Sequence, residues 1–224
     1  FQTQLNRLDK KKLDQQSQHW ESSFLSKPEM FGVEPSIASI KSVKLLKDKN
    51  IKNIIELGAG LGRDTIFFAQ NLIHVKALDY SQSAIKSINE KAAKNNLSNL
   101  VSTKFFDIRK KLPFKDNSIE ACFSHMLYCM ALSLSEIENL NNEIYRILKP
   151  GGINIYTVRH TEDGDYKKGI HRGEDLYEND GFIVHFFSEE RIKILSKGFN
   201  ILEIKKFEEG SFPRKLFKVT LEKK

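Results

Sequence analysis

The segment that decides the fold is residues 53–64, which read NIIELGAGLGRD. Its first five residues are a short, mostly apolar run, a pattern that predicts a buried strand. Glycines follow at positions 58, 60 and 62, and a helical pattern begins at Arg63. Because glycine has no Cβ, a ligand can lie directly against the backbone of such a turn. We therefore predict a nucleotide-type ligand site where the first strand of an α/β sheet passes into a helix.

Strands and helices alternate after this segment. We predict strands at 73–79, 101–106, 119–124 and 153–158, together with helices at 63–71, 81–95 and 135–148. This alternation indicates a parallel sheet covered by helices. A helix that opens at Ser188 and strands at 199–207 and 215–221 follow, and the short connection between those two strands makes the last one antiparallel. The expected fold is α/β, with a doubly wound, mostly parallel seven-stranded sheet, helices on both faces and a late antiparallel strand.

Two parts of the chain do not belong to this alternating pattern. Residues 1–50 are predicted to be helical and polar, but they hold large apolar side chains such as Trp20, Met30 and Phe31. We expect residues 1–50 to form a helical cap or lid and residues 51–224 to form the sheet domain. Within that domain, residues 161–187 are a glycine- and histidine-rich insertion. Its length indicates a functional segment and not a simple connecting loop. Both parts are expected to cover the ligand and exclude water.

The position of Asp79 indicates a ligand that contains ribose. It ends the second strand, 21 residues after Gly58, where an acid can accept hydrogen bonds from both ribose hydroxyls. A dinucleotide fold would carry a small residue in place of Arg63 and would present a helix N-terminus to a pyrophosphate. The carboxylate of Glu56 is a poor neighbour for a pyrophosphate but suits a cationic group such as an amine. The pattern therefore favours a ligand with an amino group over a dinucleotide.

Two further motifs complete the pattern. Phe106-Asp107 follows the third strand, and residues 148–152, LKPGG, precede the fifth. With the E-x-G-x-G-x-G motif at 56–62 and the acid at 79, the chain resembles the class I, or Rossmann-like, S-adenosylmethionine-dependent methyltransferases of the small-molecule type. The resemblance covers about residues 50–160. It implies an enzyme that uses S-adenosyl-L-methionine, releases S-adenosyl-L-homocysteine, and moves the methyl group to a small-molecule acceptor by direct displacement.

The resemblance also implies which residues hold the cofactor. Glu56 would orient the methionine amino group, the glycine turn would line the methionine and ribose, and Asp107 with the backbone of Ile108 would receive the adenine amino group. The implied set is Glu56, Gly58, Ala59, Gly60, Gly62, Asp79, Tyr80, Asp107, Ile108 and Ser124. The sequence departs from the family pattern in the fourth strand, where the acid is displaced to Glu120, which weakens any role for a carboxylate there.

Residues near the methyl acceptor are expected at the ends of the fourth and fifth strands, because the ends of parallel strands point into the ligand crevice. We expect His125 to act as the catalytic base if the acceptor must lose a proton. Arg159, His160 and His171 would contact the acceptor if it is a small acid, an oxyanion or a thiolate. The full set of substrate candidates is Trp20, Phe31, Tyr128, Arg159, His160 and His171. No metal site is predicted, because the histidine spacings are not those of metal ligands.

Composition narrows the classes of partner. The net charge is +7, but the basic residues are mostly lysines interspersed with acids, so we expect a solvated surface and no nucleic-acid partner. No apolar stretch is long enough to span a bilayer, and the N-terminal residues lack the apolar core of a secretory signal. Two cysteines are too few for a disulfide scaffold. We therefore expect a cytoplasmic protein without a membrane partner, and the sequence leaves its oligomeric state open.

Other functions remain open at the level of sequence. One alternative is a methyltransferase that acts on RNA or protein, although a long polymer needs an open basic track with stacking aromatic side chains. A second is an NAD(P)-dependent oxidoreductase, against which the absence of a small residue at position 63 counts. A third is a domain that binds the cofactor without turning it over. Nothing near Cys129 marks it as a nucleophile, so we expect no covalent intermediate.

Overall fold

The computed structural model describes residues 7–224, so the first six residues of the predicted cap lie outside the described part. Its strands are β1 (Asn53–Leu57), β2 (His74–Asp79), β3 (Val101–Phe105), β4 (Ile119–Ser124), β5 (Leu148–Arg159), β6 (Ile170–His171), β7 (Leu176–Asn179), β8 (Phe182–His185), β9 (Phe199–Glu209) and β10 (Arg214–Lys223). Its helices are α1 (Lys10–Asp14), α2 (Gln16–Ser26), α3 (Ile37–Asp48), α4 (Arg63–Gln70), α5 (Gln82–Lys94), α6 (Leu134–Ile147) and α7 (Glu189–Leu195).

Seven of the strands form one sheet in the order β3-β2-β1-β4-β5-β10-β9. Strands β1 to β5 run parallel to one another. Strand β10 runs antiparallel to both β5 and β9, so it is the late antiparallel strand. The predicted fold class is confirmed.

Helix starts follow local capping chemistry. The hydroxyls of Ser36, Ser81 and Ser188 each accept a hydrogen bond from a backbone amide in the first turn of the helix that follows. At α6, Ser133 and Glu136 form a reciprocal capping box, so this helix begins one residue before the predicted start. The helix ends at Ile147, one residue before its predicted end. The strand predicted from residue 153 starts earlier, since β5 begins at Leu148, which pairs with Ile119 before an irregularity in β4.

The apolar core lies on both faces of the sheet. Side chains of β1 alternate, so Ile55 and Leu57 belong to one buried cluster while Ile54 belongs to the other. The first cluster includes apolar residues of α6 and α7, and the second includes those of α3, α4 and α5. The sheet is therefore rigidly held, and the carboxyl ends of its strands can position a site.

The insertion at 161–187 contains a small antiparallel sheet of β6, β7 and β8, which the sequence did not predict. It packs on α1 and α2, since the Gln16 side chain donates to the Gly181 carbonyl and accepts from the Ile183 amide. Leu13 is buried against Leu176 and Ile183. The insertion and the N-terminal segment (residues 9–35) thus pack together. Among residues 7–224, no helix is both long and apolar enough to cross a membrane.

Candidate active site

A cavity of about 540 Å³ lies beside the carboxyl ends of β1, β2, β4 and β5. The N-terminal segment and the insertion supply the opposite walls, with Trp20, Phe31 and Phe182 among the lining residues. This is the position where open α/β sheets bind ligands. The volume falls within the range of about 300–1,000 Å³ that is typical of small-molecule sites.

The glycine turn forms one wall of the cavity. Gly58 has a φ of +63°, and a Cβ at this position would lie 2.8 Å from Cδ1 of Leu127. The Gly58 amide donates to the Leu78 carbonyl at 2.9 Å, which ties the turn to the end of β2. Side chains are thereby kept off the turn, and its backbone lines the cavity together with Ala59 and Gly60.

Asp79 lies at the centre of the predicted cofactor subsite. Its Oδ2 accepts from the Gly60 amide at 2.8 Å and its Oδ1 accepts from the Ser81 amide at 2.9 Å. The side chain lines the cavity although it is almost completely buried, and burial raises its pKa to about 6. Tyr80 lines the same wall, and burial also raises the pKa of its hydroxyl. The carboxylate is therefore held in place before any ligand binds.

Glu56 lies beneath the turn. Oγ1 of Thr65 donates to its Oε2 at 2.5 Å. Burial and the nearby Asp64 raise the pKa of Glu56 well above its usual value. Asp64 itself accepts hydrogen bonds from Ser36 and Ser39, so it is occupied in anchoring α3. Glu56 remains the acid that could face a cationic ligand group at this end of the cavity.

Asp107 and Ile108 line the predicted adenine end of the cavity. Both carboxylate oxygens of Asp107 are bound by Arg109, with Nη2 at 2.7 Å from Oδ2 and Nε at 3.0 Å from Oδ1. Burial alone would raise the pKa of Asp107, but these bonds from Arg109 lower it below its usual value. The sequence analysis did not identify Arg109, although it lies only two residues after Asp107.

His125 lies on the acceptor side of the cavity and has a partner at each ring nitrogen. Nδ1 is 2.9 Å from Oγ1 of Thr157, and Nε2 is 2.9 Å from Oε2 of Glu209. A carboxylate can only accept, so a proton on Nε2 would lie toward Glu209, although the contact lacks the angle of a hydrogen bond. Burial would raise the pKa of Glu209, but His125, the Ile37 amide and Arg63 lower it to about 2. Glu209 was not predicted, because an acidic residue next to a hairpin turn is usually exposed to solvent.

Three arginines line the acceptor side. Arg159 was predicted there, and its Nη2 donates to Asp163 at 2.5 Å and to Asp165 at 2.7 Å. Arg63 lies with its Nη2 3.7 Å from Oε2 of Glu209. Arg214 is the third. Arg159 is therefore largely neutralised by its two aspartates.

Four predicted residues do not line the cavity. Ser124 is buried, and its Oγ has no hydrogen-bond partner within residues 7–224. Tyr128 is fully buried and stacks on Tyr156 with 4.1 Å between ring centroids. His160 lies against the ring of Phe217, and His171 is bonded to the Glu174 carbonyl. The geometry does not support direct acceptor contacts by Tyr128, His160 or His171.

Aromatic side chains form the roof of the cavity. Trp20 lies 4.8 Å from Phe182, 5.4 Å from Phe24 and 6.2 Å from Phe31, measured between ring centroids. All four rings line the cavity. The predicted candidates Trp20 and Phe31 are thus together, while Phe182 of β8 was not predicted because it lies in the insertion. The roof joins both covering parts of the chain.

Comparisons with known proteins agree with this architecture. Residues 54–152 match the family model described as a methyltransferase domain. Phosphoethanolamine N-methyltransferase 1 from Triticum aestivum is 34% identical over 145 residues, which are 64% of this chain and 26% of the relative. The 24-methylenesterol C-methyltransferase 3 from Arabidopsis thaliana is 27% identical over 174 residues, which are 70% of this chain and 46% of that relative. The chain therefore spans between about a quarter and about a half of the length of these relatives.

A solved structure shares the fold over almost the whole chain. It is the 1,6-didemethyltoxoflavin-N1-methyltransferase of Burkholderia thailandensis with bound 1,6-didemethyltoxoflavin and S-adenosylhomocysteine. The TM-score is 0.75 at 16% identity, with 97% of this chain and 91% of that chain covered. The match of residues 54–152 to a methyltransferase-domain model and the shared fold agree with the resemblance stated from the sequence.

Proposed function

We propose that this chain transfers a methyl group from S-adenosyl-L-methionine to a small-molecule acceptor. One observation carries the proposal. A single cavity joins the glycine turn, Asp79 and Asp107 on one side to His125, Glu209 and Arg159 on the other. A cofactor bound along the first side would present its reactive end to an acceptor on the second.

The residues present fit this cofactor. The turn needs glycine at position 58, because a Cβ there would lie 2.8 Å from Cδ1 of Leu127, and its backbone lines the cavity. Asp79 would accept the ribose hydroxyls, Asp107 with the backbone of Ile108 would receive the adenine amino group, and Tyr80 would pack on the adenine. Glu56 would orient the amino end, directly or through a water molecule. Ser124 is buried and does not line the cavity, so its contact with the methionine part stays a prediction.

When bound, S-adenosylmethionine supplies a methyl group on a sulfonium, which is already activated for direct displacement. The chain then has to align the acceptor and exclude water. The aromatic roof of Trp20, Phe24, Phe31 and Phe182 closes the cavity toward solvent. Cys129 is buried, its Sγ is 3.4 Å from the Met126 carbonyl, and burial raises its pKa to about 11. These features support displacement without a cysteine nucleophile.

His125 is the candidate base for an acceptor that must lose a proton. Protonation at Nδ1 would give an imidazolium, and the ionised Glu209 at 2.9 Å from Nε2 would stabilise it. Thr157 accepts from the Met126 amide at 2.8 Å and thereby fixes the hydroxyl that faces Nδ1. Glu209 would act as a positioning residue that keeps the proton on Nε2.

The acceptor is proposed to be small. The cavity of about 540 Å³ has to hold both the cofactor and the acceptor, so little space remains for a second large molecule. Because Arg159 and Arg63 are already paired with carboxylates, Arg214 is the guanidinium on the acceptor side that favours a small acid, an oxyanion or a thiolate. Among the relatives, one is named for phosphoethanolamine and one for a sterol. The cavity volume favours the smaller kind of acceptor. A cytoplasmic location stays a prediction from the sequence.

Calorimetry with S-adenosylmethionine, S-adenosylhomocysteine and NAD tests the cofactor. We expect the first two to bind, and binding of NAD alone would overturn the proposal. A panel of thiols, amines, carboxylates and RNA with labelled S-adenosylmethionine then tests the acceptor, in the wild type and in His125→Ala and Arg159→Ala. Methylation of RNA that neither substitution lowers would remove the small-molecule acceptor and both site residues.

A further inference from the structure

The guanidinium of Arg109 connects the predicted adenine subsite to the N-terminal segment. Its Nε and Nη2 form a fork on the carboxylate of Asp107. Its Nη1 donates to Oδ1 of Asp14, at the end of α1, at 2.6 Å. The planar guanidinium of Arg109 therefore binds Asp107 of the predicted cofactor site with one edge and Asp14 of the N-terminal segment with another.

Two neighbours complete this junction. Lys10 donates to Asp14 at 2.7 Å and also to Glu136 at the start of α6. Glu136 lies 3.9 Å from Arg109. The side chains of Arg109, Asp107 and Glu136 are each less than a quarter exposed, whereas that of Asp14 is half exposed. Asp14 is thus the member of the cluster that can separate from Arg109 when α1 moves.

The same segment touches the cofactor side at a second place. Glu21 of α2 accepts hydrogen bonds at 2.5 Å from the hydroxyls of Ser81 and Ser83, at the N-terminus of α5. The Ser81 amide is the one that donates to Asp79. The N-terminal segment is therefore attached next to both acids that are assigned to the nucleoside part of the cofactor.

We propose that Arg109 is a positioning residue through which binding of the adenosine part of the cofactor tightens the docking of the N-terminal segment over the site. The proposal rests on the proposed function, since it requires Asp107 to receive the adenine. Arg109 lines the cavity beside Asp107, so an adenine bound there would cover its guanidinium and exclude water from the Arg109 side of the Arg109–Asp14 pair. Attraction between charges is screened less when water is excluded, so the segment is held more strongly. By linkage, docking of the segment raises cofactor affinity by the same factor.

Two aspartates of the N-terminal segment offer a matched pair of variants. Asp14 binds Arg109, whereas Asp9 binds Arg172 of the insertion at 2.9 Å and lies away from the adenine subsite. Asp9→Asn keeps a good helix N-cap for α1. We expect Asp14→Asn to raise the Kd for S-adenosylhomocysteine by about two- to fivefold, as for a partly exposed ion pair. Asp9→Asn should raise this Kd less, because the Asp9–Arg172 pair ties the segment to the insertion and not to Arg109. Equal Kd values in the two variants would overturn the proposal.

Hydrogen exchange of the N-terminal segment, measured with and without ligand, distinguishes the proposed coupling from a purely structural role of Arg109. A purely structural role would give exchange rates that do not depend on the ligand. Residues 10–26 should exchange more slowly in the presence of S-adenosylhomocysteine or saturating adenosine, but not with homocysteine alone. The emission of Trp20, the single tryptophan, should change with the same ligands. Arg109→Lys, which keeps the charge but loses the fork, should abolish this slowing. Equal slowing by homocysteine, or unchanged slowing in Arg109→Lys, would refute the coupling.

The two proposals fail in different ways. Absence of S-adenosylhomocysteine binding to the wild type would reject the proposed function, and with it the coupling. Binding to the wild type without any slowing of exchange in residues 10–26 would reject the coupling alone.

Discussion

Replacement of Asp79 by alanine tests the cofactor subsite most directly. The buried carboxylate holds the Gly60 and Ser81 amides at 2.8 and 2.9 Å and faces the cavity. In the proposed complex it also accepts the two ribose hydroxyls. The alanine variant would leave both hydroxyls without a charged acceptor. It would also release the Gly60 amide, so the turn would lose one of its anchors.

The expected loss follows from the number of bonds. A hydrogen bond to a charged group contributes about 1.5–3 kcal/mol. Loss of two such bonds therefore weakens binding by about 3–6 kcal/mol, or roughly 10²–10⁴-fold in Kd. The loss should be smaller for Asp79→Asn, because the amide oxygen can still accept one hydrogen bond in the same space.

Glu120→Ala is the matched control. Glu120 is an acid of the same sheet, but it accepts from Asn53 at 3.1 Å and does not line the cavity. Its removal should change the Kd for S-adenosylhomocysteine less than twofold, a difference of about 0.4 kcal/mol. Calorimetry gives the Kd of each variant, and Trp20 emission gives an independent titration. Far-ultraviolet circular dichroism checks that both variants are folded.

Similar Kd values for the folded Asp79→Ala and Glu120→Ala variants would refute the assignment of Asp79 to the ribose. The nucleoside would then lie elsewhere in the cavity. A folded Asp79→Asn variant with wild-type affinity would lead to the same conclusion, because it differs from the wild type in charge and in one acceptor atom.

Four further outcomes follow from the site. Because burial raises the pKa of Asp79 to about 6 and its ionised form is the better acceptor, affinity for S-adenosylhomocysteine should rise between about pH 5 and 7, and calorimetry of Asp79→Asn should show this rise lost. Cys129→Ser should keep full turnover, and a methylated Cys129 on the catalytic path, found by mass spectrometry, would contradict this. Glu209→Gln should lower kcat for a proton-bearing acceptor by up to about 10²-fold without changing the Kd for S-adenosylhomocysteine. Arg159→Ala should cost about 3 kcal/mol of unfolding free energy in urea melts, because the buried Asp163 keeps its two backbone amide donors but loses its counter-charge.

The elements of the fold that could be predicted are those whose sequence patterns lie within a few consecutive residues. The strand at 53–57, the glycine turn and the helix from Arg63 follow one another directly in sequence, and each was predicted within a residue or two. Asp79 was found because it ends a strand of clear apolar pattern. The small sheet of the insertion was missed because its strands have two to four residues, which is too short for alternation to be recognised.

Residues after the ends of strands were harder to place. Arg159 and His160 are neighbours at the end of β5, but successive side chains of a strand point to opposite faces. Arg159 therefore lines the cavity, while His160 packs against Phe217. Tyr128 lies four residues after β4, where the chain has already turned back into the core. A position at a strand end therefore predicts a cavity residue only where the side chain also points to the cavity face.

Charge near the acceptor depends on partners that are distant in sequence. Glu209 comes from the end of β9, yet it contacts His125 after β4, the Ile37 amide of α3 and Arg63 of α4. No local pattern could predict that an acid would lie against the candidate base, or that the carboxylates of Asp163 and Asp165 would neutralise Arg159. The sequence therefore predicts the cofactor side, where each acid follows its own strand. The acceptor side is determined by how β9, β10 and the insertion return to that edge, so its specificity has to be inferred from the assembled fold.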